Sequence, residues 1–155
     1  MFEKILVCLD GSKLAEQILP YAIEQAKRFN SKVVLLQAYL VPSTELAAAT
    51  QGAPAAAPQV LQQEEQRLQK EATDYLEEVA EPLRENGLDV ACVVLNGIAG
   101  DVIVGYAQNE PVDLIALATH GHSGLGRIVF GSVADHVLRE SGLPILVIKP
   151  QETED

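Results

Sequence analysis

The chain has 155 residues, of which 22 are Asp or Glu and 11 are Lys or Arg, giving a formal net charge of −11. That balance lacks the basic footprint on which nucleic-acid binding depends, so DNA and RNA are excluded as expected partners. Hydrophobic residues make up 48% and aromatic residues 5%, with no Trp. One domain of this length must therefore build an aliphatic core, which suits buried parallel strands.

Nothing in the sequence approaches the roughly 18 apolar residues needed to cross a bilayer. Met1-Phe2-Glu3-Lys4 leads into only five apolar residues before Asp10, without a small-residue cleavage site. The expectation is a cytoplasmic chain with no membrane partner. Residues 1–150 are read as one domain and 151–155 as a polar, frayed tail. Cys8 and Cys92 both sit inside apolar runs and are read as buried, reduced thiols.

Lys4 to Leu9 is a short apolar run that stops at Asp10-Gly11-Ser12, as a buried strand followed by a turn does. From Lys13 to Asn30 the period becomes helical, with Leu14, Ile18, Ala22, Ala26 and Phe29 on one stripe. Ser12 is the predicted N-cap, and Pro20 is expected to bend the helix. Lys32 to Tyr39 reads as the second strand. Val41 to Gln59, punctuated by Pro42, Pro54 and Pro58, reads as a long loop.

Leu61, Leu68, Ala72, Tyr75, Leu76 and Val79 mark a long second helix that closes near Asn86-Gly87. Its Gln- and Glu-rich face is read as solvated. Val90 to Leu95 is the third strand, Ala99 to Asn109 a short helix and Leu114 to Ala118 the fourth strand. Ser132 to Glu140 is the last helix, and Pro144 to Ile148 the fifth strand. Strands alternating with helices through right-handed crossovers predict an α/β fold: an open five-stranded parallel sheet with helices on both faces, Rossmann-like. Such sheets bind ligands beyond the carboxyl ends of their strands. This directs attention to Asp10-Gly11-Ser12, to Asn96–Gly100 and to Thr119–Ser132.

The third of these loops carries the clearest chemistry. It runs Thr119-His120-Gly121-His122-Ser123-Gly124-Leu125-Gly126-Arg127, and Gly131-Ser132 then opens a helix. Glycines allow tight turns and close backbone approach. Free N–H groups at a helix start favour an anion. Ser123 and Ser132 add hydroxyl donors, completing a phosphate cradle. It is neither a P-loop, since Gly131 rather than Lys precedes Ser132, nor a dinucleotide fingerprint, which would follow the first strand.

The order of elements and these segments resemble the universal stress protein family from Lys4 to Lys149. That family carries an ATP-binding pattern of Gly, two residues, Gly, nine residues, Gly and then Ser or Thr. Gly121, nine residues, Gly131 and Ser132 match its second half, while Ala118 stands at the first glycine. His122 stands where the family often has Arg or Lys. The resemblance implies strand order 3-2-1-4-5 and an adenine nucleotide (ATP, ADP or AMP), with or without magnesium. It also implies the contacts: Asp10, with Gly11 beside it, near the adenosine; the backbone of Ala38 at the adenine ring; and Gly97 by the ribose and phosphates. Ala118, His120, Gly121 and Gly131 belong to the motif loop, Ser132 and Val133 supply N–H groups to the phosphates, and Ser123 adds its side chain. With this strand order Cys8 and Cys92 lie two strands apart, beyond disulfide reach.

The resemblance further implies a homodimer through antiparallel pairing of the strand from Pro144 to Ile148, whose apolar edge tends to pair. The expected role is a dimeric regulatory module of the stress response. The alternatives are a slow ATPase and an interaction module that binds no nucleotide. Asp10 is the only well-placed carboxylate for a metal, so at most weak hydrolysis is expected. His120 and His122 without a third ligand do not make a zinc site. Ser132, Asp135 and His136 lie within about one helical turn and project apart, so they do not form a hydrolase triad.

Overall fold

Five short aliphatic runs each end at a turn residue, and these runs become the five strands of one parallel sheet. In chain order the elements are β1 (Lys4–Cys8), α1 (Lys13–Glu16), α2 (Leu19–Phe29), β2 (Lys32–Tyr39), α3 (Pro58–Glu85), β3 (Val90–Asn96), α4 (Ala99–Asn109), β4 (Leu114–Ala118), α5 (Ser132–Glu140) and β5 (Ile145–Ile148). The computed structural model describes residues 1–41, 58–119 and 131–152. The strand order is β3-β2-β1-β4-β5, with every neighbouring pair parallel, as the resemblance implied.

Helices cover both faces, so the strands can be apolar on both sides. Ile5, Val7, Val33, Leu35, Leu114 and Ala116 point to one face and pack with Ile18, Ala22, Ala26, Leu76 and Ala80 of the α1–α2 region and α3. The alternate residues Leu6, Cys8, Val34, Leu36, Ile115 and Leu117 point to the other face. They meet Ile103, Val104 and Ala107 of α4 and Ala134 and Val137 of α5. At the amino end of the sheet, Asp113 Oδ2 accepts from the N–H groups of Glu3 and Lys4, each at 2.9 Å, tying β1 to the start of β4.

Several boundaries differ from expectation. The single helix expected from Lys13 to Asn30 is two helices. Ser12 caps α1 as predicted, its Oγ accepting from Ala15 N–H at 3.1 Å. Pro20, expected to bend the helix, sits in the first turn of α2 instead. There the missing N–H leaves no helical bond unmade. Phe29, expected on the buried stripe, is 39% exposed. It meets Phe2 edge to face, with centroids 5.2 Å apart and planes at 79°. The segment expected as a loop to Gln59 already becomes helix at Pro58, and residues 42–57 lie outside the described residues. Helix α3 passes through Pro82 to Glu85, and Gly87 at φ +87° ends it.

The fifth strand begins at Ile145 rather than Pro144. Gln151, expected to be frayed, is held: its N–H donates to Gln17 Oε1 at 2.9 Å, and its carbonyl accepts from Gln17 Nε2 at 2.8 Å. Cys8 and Cys92 are free, and β2 lies between them, Cys8 pairing in register with Leu36 and Cys92 with Leu35. Cys8 is buried as expected. Cys92 is only half-buried, because it lies on the edge strand β3 beside Arg84 and Glu77 of α3.

Candidate functional site

The winding of the sheet reverses between β1 and β4. At such a switch the loops leaving neighbouring strands diverge to opposite faces and leave a crevice. A cavity of about 460 Å³ opens there, within the range of about 300–1,000 Å³ that small-molecule sites occupy. Its floor is apolar, made by Cys8, Leu36, Ile103 and Leu117, and its rim carries Asp10, Thr119 and Ser132.

Six of the residues singled out from sequence line this cavity: Asp10, Ala38, Ala118, Gly131, Ser132 and Val133. They arrive from the ends of β1, β2 and β4 and from the start of α5. Gly11 sits in the turn after β1 at φ +87°, a conformation that favours glycine, but it is not in the lining. Gly97 is likewise not in the lining. It holds the β3–α4 turn at φ +148°, its N–H donating to the Tyr39 carbonyl at 2.8 Å. A Cβ there would stand 2.7 Å from Val102 Cγ2. His120, Gly121 and Ser123 lie outside the described residues.

Among the described residues, two helices start at the cavity without side-chain caps. The N-cap residues are Ile98 for α4 and Gly131 for α5, and neither makes a side-chain capping bond. Ala99 and the run from Gly131 to Ala134 border the space. Early helix N–H groups have no partner within their own helix, so a start without a cap is an acceptor-seeking surface. Helix α1 is different, since Ser12 caps it and the Ser12 N–H itself donates to Asp10 Oδ1 at 2.9 Å. This bond fixes the Asp10 turn while the carboxylate remains at the rim.

The electrostatic setting is uneven. Burial pushes the Cys8 thiol up to about 12, so the cavity floor carries a neutral, unreactive sulfur at neutral pH. The Tyr75 hydroxyl is raised by burial first, then by its hydrogen bond to Glu16 at 3.0 Å and by the nearby charges of Glu16 and Asp10. Among the described residues no cluster of three or more His, Cys, Asp or Glu side chains could hold a metal. The residue types of a triad are drawn elsewhere: Asp135 pairs with Arg139 at 3.1 Å and His136 with Asp101 at 3.1 Å.

The same architecture recurs among known proteins. The model of the "Universal stress protein family" matches residues 1–149. This chain belongs to the universal stress protein family. The universal stress protein MJ0531 of Methanocaldococcus jannaschii is 31% identical over 99% of this chain and 86% of its own length. The solved structure of MJ0577 superposes with a TM-score of 0.72, at 26% identity over 99% of both chains. A universal stress protein crystallised in complex with cAMP shares the fold, with a TM-score of 0.62 and 20% identity over 97% of this chain and 98% of that one.

Sequence reasoning missed the floor of the cavity in this universal stress protein. Cys8, Leu36, Ile103 and Leu117 look like ordinary core in the sequence, and they do belong to the core cluster on the α4–α5 face. The available signal was position. Cys8 is the last residue of β1, Leu117 the last but one of β4, and Leu36 lies in the carboxyl-terminal half of β2.

Proposed function

We propose that this universal stress protein binds an adenine nucleotide in the cavity at the strand reversal. The observation that carries the reading is the start of α5, with no side-chain cap among the described residues, opening from Gly131-Ser132 onto a largely apolar space. A flat base suits the apolar floor, and phosphate oxygens suit the main-chain N–H groups of Ser132 and Val133. Ala38 and Asp10 line the cavity, and the Ala38 backbone and Asp10 carboxylate would serve as polar partners for base and sugar. Ala118 in place of the first motif glycine adds one methyl group to the wall. From the sequence, His120, Gly121 and Ser123 complete the phosphate loop, and Gly97 shapes the turn beside it. That a protein of the same fold has been crystallised with cAMP is consistent with this reading.

ATP is the nucleotide to test first. Asp10 is the only carboxylate among the described residues that line the cavity, so a magnesium ion would rest on the phosphates with one carboxylate beside it. Hydrolysis is accordingly slow, and the role is regulatory and cytoplasmic. Isothermal titration calorimetry of the purified protein with ATP is the direct test. Gly131→Val places a branched side chain at the helix start and should weaken ATP binding by roughly a hundredfold or more, comparable to losing several phosphate bonds. Native protein that takes up no ATP, and releases no nucleotide to mass spectrometry after denaturation, leaves the nucleotide-independent interaction module as the reading.

We also propose a homodimer through β5. In this strand Ile145 to Ile148 are all half-buried, and the ladder joins it only to β4 among the described strands. The Pro144 and Ile148 carbonyls accept from Ile115 and Thr119 N–H at 3.0 and 2.9 Å. By the alternation of a parallel ladder, Val147 turns its main chain to the open edge. Val147→Pro removes that outward N–H and should convert dimer to monomer in analytical ultracentrifugation. A dimer of unchanged strength would reject the β5 interface.

A further inference from the structure

The mouth of the cavity is framed by two helix starts, which share apolar packing below it and which His136 also links by a polar contact. Ala99 of α4 and Gly131 to Ala134 at the start of α5 line the space. About one turn into α5, His136 lies against Gly100 of α4. A Cβ added at Gly100 would stand 2.8 Å from His136 Cδ2, 3.1 Å from Cγ and 3.3 Å from Cβ. These atoms include the root of the side chain, so making room would require moving the helix and not merely turning the ring. Gly100 is buried and absent from the positive-φ glycines. Close approach, not backbone conformation, is therefore what glycine supplies here.

From this seat His136 Nε2 reaches Asp101 Oδ1 at 3.1 Å. Asp101 is the only charged residue on α4. On α5, Asp135 and Arg139 are engaged with each other, and Glu140 is the last residue. We propose that His136 is a positioning residue: seated on Gly100 and bonded to Asp101, it sets the separation between the first turns of α4 and α5. That separation fixes the span across which the α5 N–H groups face Ala99. The effect on ligand affinity rests on the nucleotide reading above, whereas the effect on the helix starts does not.

The test compares ATP affinity by calorimetry in intact native protein and in variants. His136→Leu fills the same space without a donor, while His136→Gln keeps one. His136→Leu and Asp101→Ala should each weaken ATP binding by about three- to fivefold, as suits a half-exposed pair. The double variant should lose no more than either alone, and His136→Gln should stay near native. Gly100→Ala should cost about tenfold, with much of the loss recovered when His136→Ala is added, because the second change removes the clash. Equal affinity in native, His136→Leu and Gly100→Ala protein overturns the proposal, as does His136→Leu matching His136→Gln.

If native protein binds no ATP, the nucleotide reading fails, and hydrogen exchange of the ligand-free protein decides the positioning role. Faster exchange at residues 102–105 and 135–138, the first amides with helical partners, in both His136→Leu and Asp101→Ala, with β1 unchanged, upholds it. Unchanged exchange in those turns refutes it.

Discussion

The two faces of the sheet are built from the same aliphatic alphabet but are filled differently. On the face covered by α1, α2 and α3, Ile5, Val7, Ile18, Leu35, Leu76 and Ala80 lie at 0% exposure. On the face covered by α4 and α5, the core stays closed around Leu6, Ile115 and Val137 but opens into the cavity at the carboxyl ends of the strands. The helices differ in the same sense. Helix α3 runs 28 residues along one face, while α4 and α5, of 11 and 9 residues, begin at the rim. One face therefore stays closed under α3, and the other gives up packing at one end, where the cavity also takes in Leu9 and Ala15 of the first cluster. Long helix cover closes a surface, and short helices that begin at the strand ends create an anion-seeking margin.

Three changes break or sharpen this contrast. The largest effect is expected on the closed face, where Leu76→Ala removes a fully buried side chain and should cost about 3 kcal/mol in urea unfolding. ATP affinity of the folded fraction should not move, and a parallel loss of affinity would show the faces to be coupled. Next come the two thiols. Burial pushes Cys8 to about 12, and burial followed by the Glu77 charge pushes Cys92 to about 11. A raised thiol pKa lowers the thiolate fraction at pH 8, by about tenfold per unit. Iodoacetamide should therefore label Cys92 at least about ten times faster than Cys8, with both rates climbing as pH rises. Faster labelling of Cys8 would mean that the cavity admits solvent more freely than the edge strand does. The smallest effect concerns the turn between the faces. Ser12→Ala removes the cap of α1 and should cost about 1 kcal/mol, with a modest loss of ATP affinity as the Asp10 turn loosens.

Where local rules decide the outcome, the sequence was a good guide. The bounds of α4, β4 and α5 agree with expectation because glycines, strand-ending turn residues and helical period all mark the same positions. The strand order came from family resemblance and could not be read from spacing. The break between α1 and α2 was missed because a proline preceded by helical pattern can either bend one helix or begin another, and only the packing of Ile18 and Ala22 under the sheet decides. Phe29 fitted the apolar stripe, but the stripe runs out at the amino end of the sheet, where its ring meets Phe2 just before β1. The site was half legible. Polar and glycine positions near the strand ends stood out, whereas Cys8, Leu36 and Leu117 are apolar residues whose exposure to a cavity depends on where α4 and α5 begin. Gly100 fell at the end of the Asn96–Gly100 loop with no role assigned to it, and its neighbour His136 lies thirty-six positions away in the sequence.

The reciprocal amide pairing of Gln17 with Gln151 has a mechanical consequence. Gln17 is the joint between α1 and α2, and α1 begins just beyond the Asp10 turn. Traction on the carboxyl terminus is thereby delivered to that joint, so a purification tag or a docked protein attached there would tug on the rim of the crevice, while the same load at Met1 would be borne by the far end of the sheet.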